Sequence, residues 1–380
     1  MERSQRMDEK LMELAQVKSL RELKRFIEFP YALYKKDTNW APPLISETRE
    51  MFSDKNPFWK HAEKALFTIN SSGRTMGRIA AIIDENHNRF HGEKCGFFGF
   101  FECVEDAQAS RLLFDAALSF MRSRGMKIAR GPVNPSTNDE CGMLVEGYGE
   151  PPKIMMTYNP PYYADFVSAE GFYKAKDLIA FITEVDKVPA KRLRSLSERV
   201  LKRNPAIKVR PINVKDFENE VKIIMNIYNA AWEKNWGFVP FTDDEIFYMA
   251  GKLRQIVDPE LLQIAFCGQD PAGFIMTLPD INEALIKIRG RLTPLGLLKL
   301  FYYIKKIKNI RVLTLGVKKR YHQMGIEGLL YSMSLEVALR KGYKKCEFSW
   351  VLEDNTMMMR AADMLSGKAY KRYRIFEKTL

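Results

Sequence analysis

The sequence predicts an α+β protein made of two α/β/α copies, each with a mixed, mostly antiparallel twisted sheet flanked by helices. Three observations support this fold class. Short β-branched and aromatic runs alternate with amphipathic segments at helical spacing. Gly, Ser and Asn turn signals separate them. The order hairpin, strand, helix ending in Gly, strand, helix, strand occurs twice along the 380 residues, which indicates a weak internal repeat.

The first half begins with a predicted charged helix at 1–28 and an extended Pro- and aromatic-rich arm at 30–59. A Ser/Gly turn joins two apolar runs at 65–70 and 76–84, which predicts a β-hairpin. The remaining predicted elements are a buried strand at 95–101, a helix at 108–122, a strand at 127–130, a long Gly/Pro/Asn loop to 159, a helix at 161–169 and a strand at 178–184.

Residues 187–211 are basic and punctuated by proline, and we interpret them as a linker that contains a helix. The predicted elements of the second half are helices at 217–232 and 243–256, strands at 261–268 and 272–278, a helix at 294–308, a strand at 311–316, a helix at 326–340, a strand at 345–350, a helix at 356–365 and a strand at 370–378. The predicted units are therefore a helix and arm (1–60), a first copy (61–186), a basic linker (187–211) and a second copy (212–380).

Charge and composition narrow the classes of function. The net charge of +13 favours an anionic partner such as nucleic acid, an acidic lipid surface or a phosphorylated cofactor. No zinc-finger, RRM, KH or helix-turn-helix signature is present, so nucleic acid ranks last. No apolar run of about 18 residues indicates a membrane span, and the charged N-terminal residues lack a signal-peptide core. We expect a cytoplasmic protein, with peripheral contact to the inner membrane face as an option.

Neither a metal site nor a disulfide framework is predicted. The cysteines are odd in number, scattered and without a C-x-x-C pair, which is typical of a protein from a reducing compartment. His87 and His91 are four residues apart, but they lie in a polar Asn-containing turn. The cysteines are Cys95, Cys103, Cys141, Cys267 and Cys346.

The clearest chemical signal lies in residues 312–328, VLTLGVKKRYHQMGIEG. A β-branched strand runs into a basic, Gly-containing loop and then directly into a predicted helix. The free N–H groups and the dipole at a helix start bind phosphate oxygens. Gly325 allows a close backbone approach, and Lys318, Lys319 and Arg320 add positive charge. This pattern predicts a phosphate-bearing ligand.

This segment resembles the pyrophosphate loop of the GNAT acyltransferases, which reads Arg/Gln-x-x-Gly-x-Gly/Ala. The matching frame is 322–327, in which Gly325 fits, His322 replaces the Arg/Gln and Glu327 replaces the last Gly, with Gly328 one position later. The resemblance implies two GNAT-like domains, with coenzyme A bound as the acyl donor in the second copy. The cofactor-binding residues that it implies are Leu315, Gly316, Val317, Lys318, Arg320, His322, Gln323, Met324, Gly325, Ile326, Gly328 and Asn355.

Acid–base groups are less clearly indicated. Asp280 follows a strand near the centre of the sheet, where a carboxylate could accept the proton of an amine nucleophile; a simple turn is the competing interpretation. His322 and Glu327 are rival catalytic residues. Where many GNAT enzymes carry a thiolate-protonating tyrosine, this chain has Ala362, which leaves Tyr370, Tyr373 or water.

Three polar and aromatic segments are candidates for the acceptor site. The loop 131–140, GPVNPSTNDE, is either a substrate loop or a capped turn connection. The segment 229–238, NAAWEKNWGF, suggests an aromatic-walled pocket, with core packing as the alternative. The predicted substrate-binding residues are Asn134, Asn138, Tyr158, Trp232, Trp236 and Asn282.

The first copy lacks the phosphate signal. Its corresponding helix opens with Glu102, Glu105 and Asp106 in place of a basic glycine loop, and acids there oppose a polyanion. We therefore interpret this copy as degenerate, with a role in packing and in shaping the acceptor site.

Residues 294–308, PLGLLKLFYYIKKIK, form a basic amphipathic pattern that looks like an insertion in a minimal GNAT domain. Such a helix either packs on the sheet with a solvated basic face or lies on an anionic membrane. It could also wall a channel for a long acyl chain.

The chain as a whole resembles a bacterial group of tandem GNAT-like proteins and the bacterial ceramide synthases. The segments that carry this resemblance are GPVNPSTNDECGMLVEG, MMTYNPPYY, NAAWEKNWGFVP, LPDIN and YKRYRIFEK. It implies acyl-CoA-dependent N-acylation of a primary amine, either small or a lipid amine such as a sphingoid base. Two alternatives stay open, an aminoacyl-tRNA-dependent transferase and a non-catalytic binding protein with a decayed site.

Overall fold

The computed structural model describes residues 12–233 and 235–380. The strands are β1 Met12–Gln16, β2 Ala62–Ser71, β3 Arg74–Asp84, β4 Cys95–Cys103, β5 Ile128–Gly131, β6 Val133–Asn134, β7 Glu140–Cys141, β8 Met143–Glu146, β9 Tyr173–Glu184, β10 Ile207–Pro211, β11 Leu262–Cys267, β12 Asp270–Pro279, β13 Asn309–Val317, β14 Lys345–Leu352 and β15 Lys368–Thr379.

The α-helices are α1 Leu20–Leu33, α2 Ile45–Met51, α3 Glu85–His91, α4 Ala107–Ser123, α5 Tyr163–Ala169, α6 Ala190–Arg203, α7 Phe217–Trp232, α8 Asp243–Leu253, α9 Asn282–Ile288, α10 Pro294–Ile304, α11 Ile326–Lys341 and α12 Thr356–Met364. Among these helices, none combines the length and the apolarity needed to cross a bilayer.

Strands of both halves form one continuous sheet, and β6 and β7 pair with each other as a separate two-stranded sheet. Its order is β1-β2-β3-β4-β5-β15-β9-β14-β13-β12-β11-β10, with β8 added to β15. The pairs β4–β5 and β13–β14 are parallel, and the other pairs in the sheet are antiparallel. This topology confirms the predicted mixed, mostly antiparallel sheet.

The two halves exchange their last strands. β9 closes the first half of the sequence, yet it pairs with β14 of the second half. β15 closes the second half and pairs with β5 of the first. β9 and β15 also pair with each other at the centre of the sheet, so each half completes the sheet of the other.

Helices cover both faces of the sheet, because alternate strand residues point to opposite sides. In the second half, Ile264 and Phe274 pack with α7, whereas the next residues, Ala265 and Ile275, pack with α6 and α11. In the first half, α4 covers one face and α1 covers the other. The α/β/α layering of the prediction is confirmed.

The start of the chain differs from its prediction. The predicted helix at 1–28 lies partly outside the described residues, and Met12–Gln16 is an edge strand that pairs with β2. The helix begins at Leu20, because Ser19 and Glu22 form a reciprocal capping box. The predicted arm contains α2. Backbone pairing at the sheet edge therefore outweighs the helical charge pattern at residues 12–16.

The predicted linker at 187–211 also carries more structure than expected. Its helix is α6, and Val200 on that helix packs against Gly325 at the start of α11. The following strand, β10, pairs with β11 and forms the far edge of the sheet. These residues are thus part of the second half of the sheet. The predicted domain boundaries themselves stay a prediction.

Candidate active site

The parallel strands β13 and β14 separate part-way along their length. Their ladder runs from Asn309 opposite Lys345 to Val312 opposite Phe348. Beyond Val312, β13 continues to pair with β12. Within the described chain, the other edge of residues 313–317 has no strand partner. Its backbone N–H and C=O groups, apart from the Val317 carbonyl that His322 contacts, are therefore available to a ligand.

A cavity of about 290 Å³ lies beside this separation. Residues of β12, β13 and β14 form one wall, α7 and α8 form the opposite wall, and residues 137–141 contribute a loop. Most of the lining is apolar and suits an alkyl or acyl chain. The apolar lining includes Val221, Ile224, Met225, Phe241, Ile246, Met249, Leu253, Phe274, Met276, Leu313 and Leu352.

An acid of the loop, Asp139, lies at the cavity, and its neighbour Glu140 is outside the cavity lining. Burial raises the pKa of Asp139 to about 6. The hydrogen bond that the Ser136 hydroxyl donates to it over 2.7 Å acts in the opposite direction and lowers the pKa, but burial has the larger effect. Burial, together with the charge of Asp139, raises the pKa of Glu140 to about 7. A carboxyl group with a pKa near neutrality can both accept and return a proton at working pH.

The loop that carries these acids belongs to the first half but is bonded to the second. Asn138 Nδ2 donates to the carbonyl oxygen of Val239 over 2.9 Å, and the Thr137 hydroxyl donates to the carbonyl oxygen of Gly237 over 2.7 Å. These bonds hold the loop that carries Asp139 against residues 237–239, so that Asp139 lines the same cavity as residues of β13 and β14. The first half thereby supplies polar groups to the cavity of the second.

A buried ion pair lies at the point where the two strands separate. Arg311 lines the cavity and is 1% exposed, and Glu347, opposite it in the ladder, is 0% exposed. Arg311 Nε lies 3.6 Å from Glu347 Oε1 and donates to Ser349 Oγ over 2.9 Å. Ser349 Oγ in turn donates to Glu347 over 2.5 Å, and the Tyr370 hydroxyl donates to its other carboxylate oxygen. The network fixes both charged groups.

The predicted phosphate loop has donors that suit an anion and one acid that competes for its cations. α11 starts at Ile326 without a side-chain cap, so the N–H groups of its first turn keep their hydrogen-bonding capacity. Lys318 Nζ lies 3.5 Å from Asp270, and Arg320 also pairs with Asp270. The loop therefore fits a phosphate-bearing ligand only if the phosphate shares these cations with Asp270 or replaces Asp270 as their partner.

Gly325 has a second reason to be glycine. Its φ of 78° lies in the left-handed region, and a Cβ atom there would lie 2.6 Å from Val200 Cγ2 of α6. Packing and backbone conformation thus require this glycine even without a ligand.

The three predicted catalytic residues lie at separate places outside the cavity lining. Asp280 is buried, accepts the N–H of Ile154 over 2.9 Å and pairs with Lys153 over 3.3 Å. Burial raises the pKa of Asp280 to about 6, against the opposing charge of Lys153. His322 Nε2 lies 3.0 Å from the carbonyl oxygen of Val317, and Glu327 is in the first turn of α11. Their catalytic roles stay predictions.

Most of the predicted cofactor residues and half of the predicted substrate residues belong to the end of β13, the loop after it or the cavity lining. The cofactor residues predicted at 315–328 form the end of β13, the loop and the first turn of α11. Asn355 is the N-cap of α12 and accepts the N–H of Met358 over 3.1 Å. Of the predicted substrate residues, Asn138, Trp232 and Trp236 line the cavity.

The other three predicted substrate residues are bonded elsewhere. Asn134 Oδ1 accepts the N–H of Phe100 over 2.6 Å. The Tyr158 hydroxyl donates to Asp37 over 2.6 Å. Asn282 Nδ2 donates to the carbonyl oxygen of Pro152 over 2.9 Å. Each makes a hydrogen bond that joins distant parts of the chain.

The first half fills its own strand separation with protein. β4 and β5 also diverge, after Phe97 and Arg130. A Cβ atom on Gly99 would lie 1.7 Å from the carbonyl oxygen of Val133, so the chain itself packs against β4 there. The Tyr163 hydroxyl accepts the N–H of Cys103 over 2.7 Å. These contacts support the interpretation that the first copy is degenerate.

The cluster of His87, Glu93 and Cys95 brings ligand-type atoms within 4.8 Å of one another. Arg130 pairs with Glu93 over 2.9 Å, and its Nη1 lies 3.5 Å from His87 Nε2. The cluster therefore already holds a cation, which opposes a second one.

Sequence reasoning missed three groups at the cavity. In the sequence, Asp139 is only one residue of the loop 131–140, Arg311 only begins a predicted strand, and Trp350 only ends one. A charged residue inside a β-branched strand, as at Arg311, is a usable signal because unpaired charges are excluded from sheet interiors.

Comparison with known proteins follows this geometry. No protein-family profile matches the chain. Bacterial ceramide synthase from Caulobacter vibrioides is 36% identical over 375 residues, which cover 96% of each chain. Protein YghO from Escherichia coli K12 is 36% identical over 367 residues, covering 94% of this chain and 93% of that protein. This chain belongs to the bacterial ceramide synthase family.

Solved structures confirm the tandem GNAT fold for this bacterial ceramide synthase family member. A tandem GNAT protein from the clavulanic acid biosynthesis pathway matches with a TM-score of 0.59 and 11% identity, over 97% of this chain and 98% of that chain. A GCN5-related N-acetyltransferase from Sphaerobacter thermophilus matches with a TM-score of 0.53 and 11% identity, over 96% and 95%. At this identity the likeness concerns the fold alone.

A protonated histidine, His61, contacts helix α8 in one wall of the family member's cavity. His61 Nδ1 lies 2.9 Å from Asp84 and Nε2 lies 3.2 Å from Glu245 on α8. Burial alone would lower the pKa of His61, but the hydrogen bonds to Asp84 and Glu245 outweigh it and raise the pKa to about 9. The stabilisation is complete below the unfolded pKa of about 6.5 and is lost as pH rises through about 9.

We therefore expect His61→Gln to lower the free energy of unfolding by about 2 kcal/mol at pH 6.5, after a discount for residual solvent contact. The difference from the wild type should shrink by pH 9.5. Urea titrations of both proteins at the two pH values measure it. A difference that is constant with pH would contradict the charged pairing.

Proposed function

We propose that this protein transfers an acyl group from a coenzyme A thioester to the primary amine of a long-chain lipid such as a sphingoid base. The observation that carries the proposal is the apolar cavity whose lining includes both Asp139 and residues Leu313 and Thr314 of β13, where the strand has an open edge. Membership of a family that includes a bacterial ceramide synthase agrees with a lipid amine. Because such an amine resides in a bilayer, the proposal includes peripheral contact with a membrane.

The reaction requires one proton to be moved. The amine nitrogen attacks the thioester carbonyl carbon, and an amide C–N bond forms as the C–S bond breaks. Asp139, as a carboxylate, accepts the proton that the amine loses. The thiolate that leaves takes up a proton, which the protonated Asp139 can return. Free backbone N–H groups of residues 313–317 are suited to stabilise the carbonyl oxygen as it gains negative charge.

Two tyrosines remain candidates to protonate the thiolate. Burial and the nearby Glu347 raise the pKa of Tyr370, which keeps its hydroxyl protonated. The Tyr373 hydroxyl is buried and has no hydrogen-bond partner among the described residues, and burial raises its pKa. Neither lines the cavity, which favours Asp139 for both proton transfers.

The direct test supplies palmitoyl-CoA and sphinganine to the purified protein, with mass spectrometry for the N-acyl product and a thiol assay for released coenzyme A. We expect the two products in equal amounts. Absence of an amide with every acyl-CoA and amine tried would overturn the proposal. Retention of acyl-CoA without turnover would favour the binding protein, and transfer from aminoacyl-tRNA would favour the alternative transferase.

A cavity variant ties the activity to this site. Ala250 on α8 lines the cavity, so Ala250→Trp should fill part of it and lower kcat/KM for the long-chain pair at least about tenfold. Its neighbour Gly251 is exposed, and a Cβ atom there meets nothing within 4 Å. Gly251→Trp is therefore the matched control and should keep near-wild-type activity. Equal losses in both variants would argue against the cavity.

A further inference from the structure

α10 is held to the protein by one side only. Leu300 packs in a small cluster with Ala284, Leu285 and Ile288 of α9, and Tyr303 lies against the same cluster. Thr293 caps the helix by accepting the N–H of Gly296. The helix is thus a defined element that stands on α9 with most of its surface outward.

The outward surface of α10 is apolar. Leu295, Leu298, Phe301 and Tyr302 are 72%, 68%, 59% and 55% exposed. Leu295, Leu298 and Tyr302 follow the i, i+3, i+7 spacing of one helix face. Leu292, Leu297 and Ile304 extend the patch. Contiguous exposed side chains of this size are rare on a monomer surface and mark a place of interaction.

Positive charge surrounds this apolar patch. The chain has no Asp or Glu between residues 284 and 326. Its basic residues near the patch are Lys287, Arg289, Arg291, Lys299, Lys305, Lys306 and Lys308. Within the described chain, none of these side chains forms a salt bridge with a carboxylate. The patch therefore combines exposed apolar side chains with unneutralised cations.

We propose that α10 docks this protein on the surface of an anionic phospholipid bilayer, with its leucine and phenylalanine side chains in the acyl–headgroup boundary and its lysines at the phosphates. An apolar face with flanking cations is complementary to that boundary. Exposed basic residues precede and follow α10 in the sequence, so its apolar side chains and the cations can meet the same lipid surface. This inference names the surface for the membrane contact in the proposed function, and its test is separate from the test of the reaction.

Vesicle sedimentation tests the docking without acyl-CoA or free amine. Wild-type protein is mixed with phosphatidylcholine vesicles that contain either no phosphatidylglycerol or enough of it, about 30%, to give a negative surface potential that attracts basic segments. We expect binding to the anionic vesicles, weakened by high salt through screening. The triple variant Leu295→Ser, Leu298→Ser, Phe301→Ser should bind at least about tenfold more weakly.

Two further variants test the contribution of the lysines and the specificity for the apolar side chains of α10. Lys299→Gln, Lys305→Gln, Lys306→Gln should weaken binding to anionic vesicles at least about tenfold. The matched control replaces exposed apolar side chains elsewhere, as Leu20→Ser, Leu339→Ser, Met357→Ser, and should bind like the wild type. Circular dichroism and thermal melts identify any variant that fails to fold.

Three results would overturn the proposal. The wild type could stay in the supernatant with anionic vesicles at low salt. The control variant could lose binding as much as the α10 variant does. Sedimentation velocity could reveal a wild-type dimer that the α10 serine variant abolishes, which would assign the patch to a second copy of the chain.

Discussion

Asp139→Asn is expected to lower kcat for amide formation by about 10²–10⁴-fold, the usual contribution of a general base. The amide keeps the shape of the side chain and can still accept the Ser136 hydroxyl over the 2.7 Å contact. The loss should therefore fall on kcat more than on KM. Steady-state kinetics with palmitoyl-CoA and sphinganine measure it, and an unchanged melting temperature checks the fold.

The pH profile gives this variant a second signature. Burial raises the pKa of Asp139 to about 6. The fraction of Asp139 in the active, carboxylate form therefore increases as pH rises through about 6. The wild-type rate should rise over that range, and the residual rate of the variant should lack that step. Glu140→Gln is the neighbouring control, because Glu140 is not part of the cavity lining, and its effect should be smaller. A larger loss in Glu140→Gln would transfer the role to Glu140.

Arg311→Met is expected to lower the free energy of unfolding by about 3–5 kcal/mol, because it leaves Glu347 charged and without its cation in a buried site. Urea denaturation of the purified variant measures the change. If the variant does not accumulate as folded protein, the urea denaturation is measured on the double variant Arg311→Met, Glu347→Gln. Removing both charges should recover a large part of the stability.

A surface pair provides the scale for this prediction. Arg372 pairs with Glu146 over 3.0 Å, and both side chains contact solvent. Arg372 also lies 3.5 Å from Asp177, but Asp177 keeps its ion pair with Arg374 when Arg372 is replaced. Arg372→Met should therefore cost about 1 kcal/mol or less. Equal costs at positions 311 and 372 would contradict the importance of burial.

Local pattern predicted much of the fold. α7 lies at Phe217–Trp232, as its amphipathic spacing predicts, and α11 starts at Ile326 directly after Gly325. The exceptions are places where distant pairing decides the outcome. Residues 12–16 carry a helical charge pattern, but they gain a full ladder with β2. No window of sequence around those residues contains that partner.

The candidate site was predicted less completely for a related reason. The helix N-terminus at residue 326 is a local feature, so the sequence indicates it. The cavity is assembled from α7, α8, three strands and a loop from the other half. Asp139 lies about a hundred positions from the segment 237–239 that holds its loop. The position after a central strand pointed to Asp280 instead, whose carboxylate is bonded to Ile154 and Lys153.

The exchange of β9 and β15 has a consequence for how the protein is made. β15 pairs Phe376 with Gly131 and Lys378 with Ala129, contacts that span roughly 250 positions and close late because long-range pairing is slow. While residues 368–379 are still unsynthesised, β5 and β9 have open edges at the middle of the future sheet. Such edges attract other strands. The nascent chain therefore has its most aggregation-prone period just before β15 emerges, and slower synthesis there would lengthen it.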